Sequence, residues 1–306
     1  MKLSTIRKPK WLKANKLGST KTAYISRIMN ENNLHTVCES AKCPNKGECF
    51  EKGRAVFLIM GDTCTRNCRF CAIKTGKHLP GPDPDEPKRV AEMAKRLELK
   101  HVIITSVTRD DLLDGGAKHF VNTIKELRNF LGDDIFIEVL TPDFLGQKSS
   151  LDIIINEKPT VFNHNLETVK RLYSNVRPQA DYDRSMSILR YIKGEDPEIL
   201  TKTGIMVGLG EKNEEVLDLL FEVRNNFVDI ITIGQYLKSD KKNCSVQDYI
   251  HPEVFDFFKK EGEKMGFLHI ESGPLIRSSY YSKSLDKILK RLHISQPSTL
   301  ARQEIC

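Results

Sequence analysis

The sequence predicts an α/β protein built as an incomplete (β/α)6 barrel over residues 53–275. An N-terminal extension over 1–52 precedes it and a C-terminal segment over 276–306 follows. Three observations carry this reading. From residue 55 onward, apolar runs of strand length alternate with segments of helical period, the order that gives a parallel sheet with right-handed crossovers. A full eight-unit barrel takes about 250 residues, and only six convincing units are present. The polar clusters fall directly after the strands, where TIM-like barrels carry their chemistry.

The 306 residues, 39% apolar and 29% charged, suffice for one large α/β domain with an ample core. No internal repeat or low-complexity tract is present. Eight cysteines in this length do not make a disulfide scaffold, and there is no secretory start. No acidic residue precedes Glu31, which raises a mitochondrial presequence as an alternative. Against it, Trp11-Leu12 after Pro9 reads as a segment packed on the domain, and Cys38 follows soon after. The expectation is a soluble, cytoplasmic protein, with a mitochondrial one ranked behind it. No apolar run is long enough to span a bilayer. The net charge of +7 is either a generic basic surface or a means of steering an acidic partner. The charge is spread along the chain without a recognised motif, so no nucleic acid is expected.

Taken in order, residues 21–33 hold a short helix and the Cys38–Cys49 segment, with Pro44 and Gly47, is loop. Residues 55–60 (Ala-Val-Phe-Leu-Ile-Met) are a buried parallel strand. A Pro/Asp-rich linker over 79–87 leads to a helix over 88–99, with Val90, Met93, Ala94 and Leu97 on one face. Strands follow at 101–107, 135–140, 160–163, 204–208 and 230–233. Helices are expected at 118–131, 149–156, 166–173, 185–192, 214–226 and 252–264. Residues 267–270 are an outlying strand candidate, and a basic helix over 284–292 precedes the tail.

Six of the eight cysteines lie between Cys38 and Cys71. Cys38, Cys43 and Cys49 are spaced C-x4-C-x5-C; Cys64, Cys68 and Cys71 are spaced C-x3-C-x2-C in the loop after the first strand. Three thiolates can each take one iron of a cubane and leave the fourth iron open. A structural zinc site wants four closed ligands; His78, seven residues on from Cys71, leaves a Cys3His site as the rival.

C-x3-C-x2-C with Phe70 before its last cysteine, after the first strand of a partial barrel, resembles the radical S-adenosylmethionine (SAM) superfamily. That resemblance implies a barrel of radical SAM type whose open iron binds SAM and whose cluster cleaves it to a 5′-deoxyadenosyl radical. C-x4-C-x5-C beside Pro44-Asn45 and Gly47-Glu48 resembles the auxiliary-cluster motif of the lipoyl synthase family. The likeness extends through Gly61-Asp62-Thr63-Cys64-Thr65-Arg66, Asp114-Gly115-Gly116-Ala117, Thr141-Pro142-Asp143-Phe144 and Asn163-His164-Asn165-Leu166-Glu167-Thr168. It continues through Val176-Arg177-Pro178, Met206-Val207-Gly208-Leu209-Gly210-Glu211 and Ser272-Gly273-Pro274-Leu275-Ile276-Arg277-Ser278-Ser279-Tyr280. Two departures touch no ligand of the family: Tyr281-Ser282 stands where His-Ala is usual, and Gln179 where Gly is usual.

The resemblance implies two [4Fe-4S] clusters, one on Cys64, Cys68 and Cys71 with SAM, and an auxiliary one on Cys38, Cys43, Cys49 and Ser279. Serine oxygen is a harder ligand than thiolate for iron, which suits a cluster consumed as a sulfur donor. The implied reaction replaces one hydrogen at each of C6 and C8 of a protein-bound octanoyl-lysine with sulfur and uses two SAM. Implied partners are octanoylated lipoyl carrier domains (2-oxoacid dehydrogenase E2 subunits, the glycine cleavage H protein) and a flavodoxin or ferredoxin electron donor. A methylthiotransferase carrying an auxiliary cluster, or a zinc module, is the rival reading.

Other groups keep two readings. Thr105, Arg109 and Asp110 hold the methionine end of the cofactor, or Asp110 or Asp111 caps a helix. Glu138 sits in an apolar strand and needs a ribose hydroxyl or an arginine. Asn163, His164 and Asn165 close a strand at the rim, as ligand contacts or, for His164, as a satisfied core histidine. Arg177 meets the cofactor carboxylate or pairs with Asp181 or Asp183. Gly208-x-Gly210 fails as a dinucleotide loop because Asn213 stands at its last glycine position; it reads as a tight turn near the adenosyl group. Cys244 is a partly buried thiol and Cys306 a terminal one.

Overall fold

The computed structural model describes residues 7–13, 19–280 and 283–295. Its N-terminal segment packs on the domain as expected: Leu12 is fully buried and the Trp11 ring stands edge-on to His251. Helix α1 (Thr20–Glu31) begins where the Ser19 side chain accepts the Thr22 N–H. It buries Ile25, Ile28 and Met29 in the same core as the first barrel strand.

The segment expected as loop between Cys38 and Cys49 is instead mostly helical. After strand β1 (His35–Thr36) come α2 (Val37–Ser40) and α3 (Lys46–Glu51). The Thr36 hydroxyl accepts the Glu39 N–H and starts α2. Pro44 falls in the break between the helices, so it interrupts neither. Lys42 turns the chain there with φ +51°.

Strand β2 (Val56–Ile59) is buried along its whole length. The cysteine loop after it is pinched by the short pair β3 (Thr63–Cys64) and β4 (Lys74–Thr75). Then α4 (Glu86–Arg96), β5 (His101–Ser106), α5 (Ala117–Leu131), β6 (Phe136–Leu140), α6 (Lys148–Ile155) and β7 (Val161–Asn163) repeat the strand–helix unit. The helix expected over 166–173 is absent. Glu167 instead bridges to the sheet at Ile205, with the Glu167 N–H on the Gly204 carbonyl and the Met206 N–H on that of Glu167. A 3-10 turn (Lys170–Leu172) and the short α7 (Tyr173–Val176) follow. The remainder is α8 (Tyr182–Glu195), β8 (Leu200–Val207), α9 (Asn213–Asn225), β9 (Ile230–Gln235), α10 (Pro252–Lys264), β10 (His269–Gly273) and α11 (Lys283–Ser295).

The large sheet runs β1-β2-β5-β6-β7-β8-β9-β10, with only β1 antiparallel to its neighbour. The order is open, so the barrel is incomplete. The outlying strand candidate is not outlying: β10 pairs in parallel with β9 from His269↔Ile230 to Gly273↔Gly234. Leu285 and Leu289 of α11 pack with Phe136, Val161 and Ile230, each at or near the start of its strand. The terminal helix thus closes the bottom of the barrel and leaves the C-terminal strand ends open. No helix of the described residues is long and apolar enough to cross a membrane.

Candidate radical active site

The C-terminal strand ends converge on one cavity of about 510 Å³, lined by Cys64, Cys68 and Cys71, within the usual size of a small-molecule site. Backbone N–H groups of Arg66 and Thr108 point at the Cys64 sulfur, at 3.4 and 3.3 Å. Arg66 clamps this loop. Its guanidinium makes a forked pair with Asp110 at 2.6 and 2.8 Å and reaches Asp143 at 2.6 Å. Asp143 is fully buried and also takes Arg184 at 2.9 Å. Burial alone would raise its pKa, but Arg66 outweighs that and holds the carboxyl far below the usual range. Two anchors were not anticipated: Asn243 donates to the Cys71 carbonyl at 2.8 Å, and the Cys244 N–H donates to the Arg69 carbonyl at 2.8 Å.

Cys38, Cys43 and Cys49 line a second, smaller cavity together with Ser279, Arg277 and Tyr280. Cys43, Arg277 and Ser279 belong to both cavities, so the two adjoin. Ser278, by contrast, lines only the larger one, where its hydroxyl accepts from Asn165 Nδ2 at 3.0 Å. The tail reaches this place because two strand positions lack a side chain. A Cβ on Gly234 would lie 2.1 Å from the Ile276 carbonyl oxygen, and one on Gly204 would lie 2.8 Å from Ser278 Cβ. Asn45, beside Pro44, donates to the Leu275 carbonyl at 2.7 Å and ties the tail to the cysteine segment.

Burial makes thiols of both sets hold their protons tightly. Burial pushes the Cys38 thiol up to about 12 and Cys49 to about 11, with Cys43 adding to both. It pushes Cys71 to about 12. Such thiols stay protonated and inert until a metal displaces the proton. Among the described residues no three His, Cys, Asp or Glu side chains are grouped to hold a single ion. His78 does not line the cavity of Cys64, Cys68 and Cys71. The walls of the large cavity also fit a polar cofactor. Ser106 Oγ, Thr141 Oγ1, His164 Nε2, Asn165 Oδ1 and Arg177 Nε are buried, line the cavity, and make no hydrogen bond within the protein.

Residues 58–223 match the Radical SAM superfamily. A lipoyl synthase of Caldanaerobacter subterraneus subsp. tengcongensis is 52% identical over 278 residues, covering 91% of this chain and 96% of that one. This chain belongs to the lipoyl synthase family. A lipoyl synthase of Azotobacter vinelandii is 47% identical over 278 residues, with 90% and 85% of the two chains covered. Among solved structures, methylornithine synthase (PylB) superimposes with a TM-score of 0.51 at 14% identity, over 94% of this chain and 93% of that one. The maturase HydG gives 0.53 at 16% identity, over 77% and 61%. These two share the fold, a radical SAM barrel.

Within this lipoyl synthase fold the expected cofactor residues separate into two groups. Phe70, Thr105, His164, Asn165 and Arg177 line the large cavity; Arg109, Asp110, Glu138, Asn163 and Gly208 do not. Arg109 forks onto Asp111 at 2.8 Å and reaches the Pro80 carbonyl at 2.9 Å. Asp110 is taken by Arg66. Glu138 pairs not with an arginine but with Lys202 at 2.8 Å, and it takes Asn163 at 3.0 Å, all three buried. Gly208 has φ +95° and packs against Gln235 and Asp248, a tight turn set back from the cavity. Arg177 pairs with neither Asp181 nor Asp183. It donates to the Asn165 carbonyl and the Tyr173 hydroxyl, each at 2.7 Å. Near it stands Glu167, a cavity-lining carboxylate not singled out beforehand, which takes Asn165 Nδ2 at 3.1 Å. Desolvation raises the Glu167 pKa and Arg177 opposes the rise. A carboxylate four positions past Asn163, the end of a strand, was the available signal.

Proposed function

We propose that this enzyme inserts two sulfur atoms, at C6 and C8, into an octanoyl chain amide-linked to a lysine of a carrier domain, and so makes the lipoyl group. One observation supports this above the others: the two three-cysteine sets line two adjoining cavities, and Cys43 and the tail's Ser279 stand on the wall that both cavities share. A barrel that only cleaved SAM would need the Cys64, Cys68 and Cys71 set alone.

In this reading Cys64, Cys68 and Cys71 hold one [4Fe-4S] cluster, and Cys38, Cys43, Cys49 and Ser279 hold a second. When bound, the first cluster with SAM supplies a hydrogen-abstracting deoxyadenosyl radical, and the second supplies sulfide. The protein's own groups position and shield. Arg177 offers a cation for the SAM carboxylate and Glu167 an anion for its ammonium or sulfonium. Thr105, Ser106 and His164 offer polar edges for the remainder, and Phe70 an apolar wall. His164 accepts through Nε2, because Nδ1–H donates to the Thr141 carbonyl at 2.9 Å. Leu58, Val107, Leu140, Ile205 and Met206 give the cavity an apolar side against which an acyl chain is dry. Arg66 holds the cysteine loop in register with Asp110 and Asp143. A reducing compartment such as the cytoplasm, with a flavodoxin or ferredoxin as electron donor, suits clusters held by these thiols.

The test is anaerobic turnover of an octanoyl-lysyl peptide, followed by mass spectrometry. A product gaining two sulfurs, with two deoxyadenosines formed per product, is the expected result. Methylthio transfer, or SAM cleavage without sulfur in the peptide, would refute the reading.

A further inference from the structure

The rim of the large cavity differs from its walls. Most lining residues are buried or half-buried, and the exposed ones are Lys8, Lys42 and Lys238. They come from three separate segments: the N-terminal strap, the turn before Cys43, and the loop after β9. Three unrelated stretches therefore place the same charge around one opening. The acidic group beside the collar is Asp240, 3.6 Å from Lys42 Nζ, and the Lys42 side chain remains 59% exposed. Inside, Glu167, Arg177 and Arg277 sit in the walls; Arg177 is buried and the other two half-buried.

We infer that this lysine collar is the docking surface for an acidic carrier segment on either side of the acylated lysine. The inference rests on the function proposed above. The acyl chain must enter through the opening the collar surrounds, so whatever carries it rests against these side chains. Acylation also turns the carrier lysine into a neutral amide. An unmodified lysine brings an ammonium into a ring of ammonium groups, where like charges repel. The collar thus attracts an acidic surround and favours the acylated carrier over the unmodified one. Exposed charges of this kind act mainly on encounter and are screened beyond about 10 Å at 0.1 M salt.

The experiment uses the full chain with both clusters reconstituted and dithionite as reductant. Three octanoyl-lysyl peptides of equal length carry acidic, neutral or basic flanks. At low salt, kcat/KM should fall from acidic to neutral to basic, over a range of about tenfold, and the range should collapse in high salt. The double variant Lys8→Glu/Lys238→Glu should reverse the order while the neutral peptide changes little. Lys42 is left in place because it adjoins Cys43, and iron and sulfide content verifies that both clusters are loaded. An order unchanged in the variant, or absent in the wild type, overturns the collar and leaves the proposed function standing. Loss confined to assays driven by flavodoxin would assign the collar to the electron donor and also overturn it. If no peptide gains sulfur at all, the functional reading fails and the collar with it.

Discussion

Ser279 and Ser278 are adjacent and chemically identical, yet only Ser279 shares a cavity with Cys38, Cys43 and Cys49. Ser278 is already engaged by Asn165. A Ser279→Ala variant should therefore keep SAM cleavage and lose sulfur insertion by at least about tenfold, read by deoxyadenosine and product mass together. The Ser278→Ala variant should affect both activities alike. His164 gives a second prediction. Burial pushes its pKa down to about 4 from 6.5, with Arg177 adding to the fall and Asp143 opposing it. The folded state then binds fewer protons than the unfolded chain between those values, so stability rises with pH across the window. The penalty is absent above about 6.5 and approaches ~3 kcal/mol below about 4. Urea midpoints measured at pH 7 and pH 5 should show a drop in the wild type that His164→Asn reduces by ~2 kcal/mol. Equal drops in the two proteins would contradict it. The cysteine spacings were plain in the sequence. The division of polar residues between cavity wall and buried scaffold was not. Glu138 and Lys202 stand 64 positions apart, and nothing local to Glu138 shows that its partner is a lysine on another strand.

At the scale of elements, the tail is the unusual feature. After β10 it passes over Gly234 and Gly204 to deliver Ser279, and α11 then closes the barrel bottom. The glycines are needed for close approach, since any Cβ at Gly234 strikes backbone rather than a movable side chain. Gly234→Ala should displace the tail and reproduce the Ser279→Ala phenotype. Sulfur insertion should fall on the order of a hundredfold, as for an ångström-scale misplacement, with SAM cleavage retained. Loss of both activities together would show that Gly234 serves the whole barrel rather than the tail. Strand positions were legible because buried parallel strands are apolar runs. The helices around Cys38 and Cys49 were not, because cysteine, Pro44 and Gly47 weigh toward loop, and only the cap by Thr36 reveals α2. The failed helix over 166–173 has the same kind of cause: its apolar spacing is satisfied by sheet contacts with β8 that lie some 40 positions away in sequence.

For the whole molecule, the incomplete barrel supplies what a closed one lacks. Its open side admits the N-terminal cysteine helices and the tail, so that two thiol sets line adjoining cavities with Cys43 and Ser279 on their common wall. The alternation of strands and helices was enough to foresee the barrel, and the seventh parallel strand, β10, was legible only as an outlying candidate over 267–270, because its polar end, Glu271-Ser272-Gly273, cuts the apolar run short. What the account claims above all is that sulfur comes from the site formed by Cys38, Cys43, Cys49 and Ser279. That is tested most directly by reconstituting the enzyme with heavy-isotope sulfide and following a single turnover with an octanoyl-lysyl peptide and unlabelled sulfide in solution. The account predicts that both product sulfurs carry the label and that iron is released in step with product. Unlabelled product, or labelled product from a Cys38→Ala/Cys43→Ala/Cys49→Ala variant, would contradict it.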